Sequence, residues 1–81
     1  MSDKVIHAIK KSIEETNIKV DISESNMDSN LRSLGVDSLN AMSIIINTEK
    51  KLNVRLPDED LANLRTLRDL ISSFEKQLKS K

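Results

Sequence analysis

Hydrophobic side chains recur at helical spacing near both ends of the 81-residue chain. The two sets are Val5, Ile6, Ile9 and Ile13 near the amino end, and Leu67, Leu70, Ile71, Phe74 and Leu78 near the carboxyl end. An apolar residue every three or four positions is typical of a helix with one face on a core. The pattern predicts a first helix that is capped by Ser2 and ends near Asn17. It also predicts a last helix that begins at Thr66, with Asp69 completing a capping box.

Two further helices are predicted between these two. The first runs from about Ser38 to Lys51, because Gly35 interrupts what precedes it and Asp37 or Ser38 can supply the N-cap oxygen. A short helix follows over residues 58–61, with Pro57 near its start. No segment alternates hydrophobic and polar residues for long enough to predict a strand.

Residues 18–37 show no sustained period and contain clusters of Ser, Asn and Asp, so we predict a long loop there. Hydrophobic residues should pin this loop across the helices, with a short helical turn near Ser29–Leu34. They are Ile18, Val20, Ile22, Met27, Leu31 and Leu34. The expected fold is all-α, in one domain over residues 1–81. It is a small four-helix bundle of three longer helices and one short helix, with the long loop between the first and second helices.

The second predicted helix carries hydrophobic residues on two sectors rather than one. At about 100° per residue, one sector holds Ala41, Ile44, Ile45, Thr48 and Leu52, and the other holds Leu39, Met42 and Ile46. A thin bundle rarely buries both sectors, although a central helix could. We therefore expect the second sector, here called the docking strip (Leu39, Met42 and Ile46), to stay exposed for partner proteins.

Composition narrows the function classes. Thirteen basic and thirteen acidic residues cancel and the chain has one aromatic residue, which argues against a nucleic-acid partner. The absence of cysteine excludes a disulfide framework and fits a reducing compartment. The longest apolar run is too short to cross a membrane, and the first residues lack the apolar core of a signal peptide. We expect a cytoplasmic protein that is a monomer.

Ser38 has three possible chemical roles on the residues alone. It could simply cap the second helix. A hydrolase nucleophile is disfavoured because the elbow motif needs glycines where Val36 and Asn40 stand, and His7 is the only histidine. Covalent modification is the third possibility, because a phosphate ester at a helix start is met by free N–H groups. A divalent cation could then bridge that phosphate and Asp37 during transfer, although we expect no permanently bound metal.

The segment from Leu34 to Leu39, Leu-Gly-Val-Asp-Ser-Leu, resembles the phosphopantetheine attachment motif of acyl carrier proteins. The similarity extends to the helix after Ser38, the turn over residues 54–59, the helix over residues 67–74, the long first loop and the overall length. It thus covers essentially the whole chain. The resemblance implies that Ser38 receives 4′-phosphopantetheine from coenzyme A, through a phosphopantetheinyl transferase that requires Mg²⁺. Asp37 would help to hold that metal.

The resemblance also implies a carrier that catalyses nothing itself. Acyl groups would ride as thioesters on the arm to loading, elongating or transferring enzymes of fatty-acid, polyketide or specialised lipid biosynthesis. The docking strip matches the partner-recognition positions of the family. A thin aliphatic core could part to admit an acyl chain, or could stay closed with the cargo outside. The pocket residues expected in the first case are Ile6, Ile9, Ile44, Ile45, Leu52, Leu64 and Ile71.

The chain departs from the usual acidic pattern of fatty-acid carriers. Its second helix offers Asn40, Ser43 and Asn47, and Arg32-Ser33 stands where acids are usual before the motif. We therefore expect a specialised carrier, for a dedicated polyketide, lipid or modified-acyl pathway. An aminoacyl carrier of D-alanyl or peptidyl type remains an alternative. A second alternative is an unmodified helical adaptor that binds proteins through the docking strip.

Overall fold

The computed structural model describes residues 3–20 and 22–80, and at Glu24 it describes the backbone alone. Its four α-helices are α1 (Asp3–Glu15), α2 (Ser38–Leu52), α3 (Asp58–Ala62) and α4 (Leu67–Lys79). These ranges contain no strand. The predicted all-α bundle of three longer helices and one short helix is confirmed, with bounds that agree to within one or two residues. The predicted cap Ser2 lies outside the described residues.

One hydrophobic cluster joins the helices, with α1 packed against both α2 and α4. Its buried helical members are Val5, Ala8, Ile9 and Ile13 of α1, Ile44, Ile45 and Leu52 of α2, and Leu67, Leu70, Ile71 and Phe74 of α4. Phe74 is completely buried. An ion pair of 2.9 Å between Lys51 Nζ and Glu15 Oε1 joins the carboxyl ends of α1 and α2 at the surface. At the start of α4, Thr66 and Asp69 form the predicted capping box.

Two hydroxyl groups lie within this apolar core and are completely buried. Thr48 Oγ1 of α2 lies 2.7 Å from the Ile44 carbonyl oxygen and 2.9 Å from Ser12 Oγ of α1, so its one proton can go to either acceptor. Ser12 donates its own proton to the Ala8 carbonyl oxygen at 2.9 Å. Both hydroxyls are therefore hydrogen-bonded, which removes the main cost of burying them.

The long loop between α1 and α2 is held down by its hydrophobic residues, as predicted. Ile18, Val20, Ile22, Leu31 and Leu34 pack against the core, and Met27 is buried within it. Val36 is buried as well, although it was not among the residues predicted to pin the loop. The loop contains two turns of 3₁₀ helix, Glu24–Asn26 and Leu31–Leu34. The second of these is the short helical turn predicted near Ser29–Leu34.

The second half of the loop is joined to the start of α4 by backbone hydrogen bonds. The Leu31 N–H donates to the Arg65 carbonyl oxygen at 2.8 Å, and the Arg68 N–H donates to the Met27 carbonyl oxygen at 3.0 Å. An ion pair of 2.7 Å between Arg68 Nε and Asp28 Oδ1 adds to these contacts. The segment that leads into α2 is therefore fixed against another helix before the chain turns.

The turn itself depends on Gly35, which adopts a left-handed conformation with φ of 88° and ends the second 3₁₀ turn. The next N–H, that of Val36, donates to the Leu31 carbonyl oxygen at 3.0 Å. The reversal lets Val36 enter the core while Asp37 begins α2. Glycine adopts this region of φ without the steric cost that other residues meet.

Replacing Gly35 with alanine should therefore destabilise the fold by about 1 kcal/mol through backbone strain. A Cβ added at this position meets no atom within 4 Å, so a clash contributes nothing. Gly35→Asn is the matched control, because asparagine tolerates the left-handed region better and should cost less. Urea denaturation measures both changes. Equal stability of Gly35→Ala and the parent protein would contradict this account of the turn.

Candidate functional site

Asp37, rather than Ser38, is the N-cap of α2. Its Oδ1 accepts a hydrogen bond from the Asn40 N–H at 2.8 Å, which satisfies one of the free donors of the first turn. The interpretation that Ser38 merely caps the helix is therefore wrong. Ser38 is the first residue of α2, and its side chain is exposed. Its hydroxyl is thus accessible to an enzyme and is not required to complete the helix.

A cavity of about 200 Å³ opens beside Ser38, among α1, α2, α4, the long loop and the segment around α3. Ser38 and Met42 stand in its wall together with hydrophobic residues of every surrounding element. Those residues are Ile13, Val20, Leu31, Val36, Ala41, Ile44, Ile45, Leu61, Leu64, Leu67 and Leu70. The wall is aliphatic, so the cavity suits a hydrocarbon chain better than a polar ligand.

The structure places the predicted pocket residues in two groups. Ile44, Ile45 and Leu64 line the cavity. Ile9, Leu52 and Ile71 lie in the closed part of the core, and Ile6 is half-buried against it, so these four do not form the wall. A helical stripe identifies the side that faces inward, but it does not separate closed packing from a cavity wall. The loop contributions of Val20, Leu31 and Val36 also depend on tertiary packing.

The docking strip is exposed, and the other sector of α2 is not. Leu39, Met42 and Ile46 are 79%, 42% and 44% exposed, whereas Ile44 and Ile45 are buried. Met42 also stands at the edge of the cavity. The helix therefore presents one sector to the core and a second to solvent. The strip and the cavity mouth meet next to Ser38.

A shallow depression lies on another side of Ser38. It is lined by Asn30, Leu31, Arg32, Val36, Asp37, Ser38, Ala41, Leu64 and Arg65. The space beside the hydroxyl and the two nearby guanidinium groups fit a phosphate ester, because cations and free N–H donors stabilise its charge. Asp37 uses only Oδ1 for capping among the described residues, which leaves Oδ2 for a metal ion.

Other chemistry finds little support near Ser38. His7 is exposed on α1 and lines neither the cavity nor the depression beside the serine. Across residues 3–20 and 22–80, no group of three or more His, Cys, Asp or Glu side chains is placed to hold a metal ion. None of the described helices is long and apolar enough to span a bilayer.

Comparison with known proteins agrees with this geometry. A family model described as "Phosphopantetheine attachment site" matches residues 8–74. An acyl carrier protein homolog from Ureaplasma parvum is 42% identical over 79 residues, which cover 98% of this chain and 100% of that protein. The acyl carrier protein of Rhodococcus erythropolis is 35% identical over 75 residues, which cover 91% of this chain and 81% of that protein.

Solved structures give the same result for the fold. The solution structure of the 3,7-dioxo-octyl actinorhodin acyl carrier protein from Streptomyces coelicolor matches with a TM-score of 0.72 at 26% identity. The match covers 99% of this chain and 92% of that one. Helical bundle, exposed serine and adjoining aliphatic cavity define a carrier domain of the phosphopantetheine-dependent class.

The chain belongs to the acyl carrier protein family. Members of that family are carriers rather than catalysts, and they hold their cargo on a covalently attached 4′-phosphopantetheine group. The chain accordingly acts with a phosphopantetheinyl transferase and with acyl-handling enzymes. The resemblance noted from the sequence is thereby confirmed, as is the assignment of an acyl carrier role.

Proposed function

We propose that Ser38 is the residue to which 4′-phosphopantetheine is attached and from which the acyl thioester is presented. The observation that carries the proposal is the position of Ser38, exposed at the first turn of α2 with the cavity and the docking strip on either side. In the transfer, the Ser38 hydroxyl would form a P–O bond to coenzyme A while the diphosphate bond breaks. The adenosine bisphosphate portion leaves, and the hydroxyl proton passes to the transferase.

Asp37 would assist this transfer by holding Mg²⁺ with the oxygen that capping leaves free. One carboxylate oxygen accepts from Asn40, so the side chain is already oriented when the metal binds. Carboxylate and phosphate oxygens are ligands that Mg²⁺ prefers. The same residue would then start the helix and position the ion that Ser38 needs.

The cavity is the proposed site for the acyl chain. Its mouth lies beside Ser38, and the rest of its wall is mostly aliphatic, so a chain on the arm could enter it from the surface. Each buried methylene contributes about 0.8 kcal/mol. We propose that the residues lining the cavity contact the acyl chain. Of the pocket residues predicted from the sequence, Ile44, Ile45 and Leu64 are among them. Ile9, Leu52 and Ile71 support the cavity wall from the closed core, and Ile6 packs against that core from outside.

The docking strip is the proposed surface for partner enzymes. Leu39, Met42 and Ile46 expose hydrophobic side chains, and soluble proteins rarely expose such a group unless a partner binds there. Met42 can adapt to differently shaped partners. The strip is flanked by amides and hydroxyls rather than by the acids that steer carriers to basic partners. Docking would therefore depend more on apolar contact than on charge.

This charge pattern is the reason to propose a specialised acyl carrier rather than the carrier of general fatty-acid synthesis. An aminoacyl carrier is less favoured, because the wall of the cavity is aliphatic and the relatives are acyl carriers. An unmodified adaptor would need only the docking strip and would leave the motif at Ser38 unexplained. We further propose a cytoplasmic monomer with one domain over residues 1–81, in keeping with the cysteine-free composition.

Modification of Ser38 can be measured by intact mass. The purified protein, incubated with coenzyme A, Mg²⁺ and a phosphopantetheinyl transferase, should gain the mass of one phosphopantetheine group. Ser38→Ala should gain none, whereas the control Ser33→Ala, at an exposed serine two residues before Gly35, should gain the same mass as the parent. No gain with any transferase would favour the adaptor instead.

The two roles of Asp37 can be separated by two substitutions. Asp37→Ala removes the cap and should cost about 1 kcal/mol of stability, whereas asparagine caps about as well as aspartate. Asp37→Asn should therefore unfold at about the same urea concentration as the parent protein. It should nevertheless receive phosphopantetheine more slowly than the parent, because the neutral amide binds Mg²⁺ weakly. Unchanged modification of Asp37→Asn over a Mg²⁺ titration would remove the metal role.

Acyl-chain binding should appear as a dependence of melting temperature on chain length. In a series of saturated thioesters on the modified protein, each buried methylene should add up to about 5 °C until the cavity is full. Ala41→Leu narrows the cavity and should bring the plateau at a shorter chain, whereas the exposed Ala62→Leu on α3 should not. A melting temperature that ignores chain length would mean that the cargo stays outside.

The proposal of a specialised carrier is tested by replacing an acidic fatty-acid carrier with this protein in an elongation assay. The modified protein should be a poorer substrate than an acidic carrier for ordinary fatty-acid synthase enzymes, since it lacks the charges that speed their encounter. Initial elongation rates at low and high salt should differ little for this protein and strongly for the acidic carrier. Equal elongation of both carriers at low salt would overturn the proposal.

A further inference from the structure

Two arginines stand at the rim of the shallow depression beside Ser38. Arg32 ends the loop side of this rim and Arg65 the α4 side, and both side chains are exposed. Within residues 3–20 and 22–80, neither guanidinium group forms an ion pair or a hydrogen bond. Two positive charges thus lie at one depression, and among the described residues neither is paired with a carboxylate, although Asp37 lines the same depression.

The backbone holds these two positions in place. The Arg65 carbonyl oxygen accepts from the Leu31 N–H at 2.8 Å, and the Arg65 N–H donates to Asp69 Oδ2 at 3.2 Å. The Arg32 N–H donates to Asn30 Oδ1 at 3.0 Å. The bases of both side chains are therefore fixed relative to the start of α2, while their ends are free. Less ordering remains to be done when a ligand binds.

Once Ser38 is modified, two negative charges would lie side by side, and two nearby positive charges can balance them. A phosphodiester on Ser38 places a negative charge one residue after Asp37, whose carboxylate is exposed at the same rim. Like charges this close repel. The charges of Arg32 and Arg65 match those of the carboxylate and the phosphodiester. Guanidinium groups also suit the geometry of phosphate oxygens, to which they can donate two parallel hydrogen bonds.

The depression and the cavity share a wall. Ser38, Leu31, Val36, Ala41 and Leu64 line both of them. A phosphate held on the arginine side would leave the rest of the arm starting at the mouth of the cavity. Binding at the rim would then direct the arm inward instead of leaving it to rotate freely about Ser38.

We propose that Arg32 and Arg65 together bind the phosphodiester of the arm and so direct the arm toward the cavity. The proposal rests on Ser38 being the attachment residue. An acidic surface on a partner is the other possible occupant. It is less favoured, because the two arginines flank the serine at the depression, while the exposed hydrophobic area lies along the docking strip.

The first test compares the unmodified and the modified protein by NMR, with no partner present. The protein, labelled with ¹⁵N, is converted with coenzyme A and a transferase, and complete conversion is checked by mass. The side-chain Nε–H signals of Arg32 and Arg65 should shift on conversion. The signal of Arg55 should not, because this exposed arginine lies beyond the far end of α2 and borders other depressions.

The second test observes the phosphate itself. The ³¹P signal of the modified protein should move when Arg32 and Arg65 are both replaced by glutamine, and it should stay in place in the matched control Arg55→Gln. In about 1 M salt the parent signal should move toward that of the double variant, since exposed charges are screened. All three positions are exposed, so the substitutions should leave the fold intact, as amide spectra will show.

The outcomes separate this inference from the function on which it rests. Absence of any mass gain would overturn both. The phosphate site alone would be overturned if the protein gains the mass but two signals stay unchanged. These are the arginine Nε–H signals on conversion and the ³¹P signal on substitution of the two arginines. Arginine signals that respond only when an acyl-handling enzyme is added would also overturn it, and would assign the pair to a partner surface.

Discussion

The cap that Asp37 places on α2 is the interaction on which the site depends. The chain arrives at this cap through the left-handed turn at Gly35, after a loop that is bonded to the start of α4. Because the carboxylate of Asp37 accepts the hydrogen bond of the Asn40 N–H in the first turn, Ser38 is not needed to cap the helix. Ser38 can therefore expose its hydroxyl on a rigid helix instead of on a flexible loop. A phosphopantetheine arm attached to Ser38 would therefore start from a fixed position on the protein.

The second constraint is the division of α2 into two hydrophobic sectors. One sector packs on α1 and forms part of the cavity wall, and the other leaves Leu39, Met42 and Ile46 in solvent. A helix that only stabilised the bundle would not need the second sector. The depression with Arg32 and Arg65 completes the surroundings of the serine, so that polar, apolar and basic surfaces meet at one residue.

Much of this arrangement could be predicted from the sequence because local rules determine it. Periodicity located α1 and α4, the glycine, proline and capping signals located α2 and α3, and the hydrophobic residues of the loop identified where it is pinned. The cavity wall could not be predicted in the same way. Whether Ile9 or Ile45 borders empty space depends on how neighbouring helices diverge, which a single stripe does not encode. The meeting of Arg32 and Arg65 likewise depends on the pairing of the loop with α4.

Peptide mapping of the modified protein tests the central claim most directly. Trypsin cleavage after Arg32 and Lys50 releases residues 33–50, which contain three serines and Thr48 as candidate attachment points. Tandem mass spectrometry of this peptide, from protein isolated from its native cell, should place one phosphopantetheine group on Ser38, with or without an acyl chain. A group on Ser33 or Ser43, or a peptide that is never modified, would contradict the account.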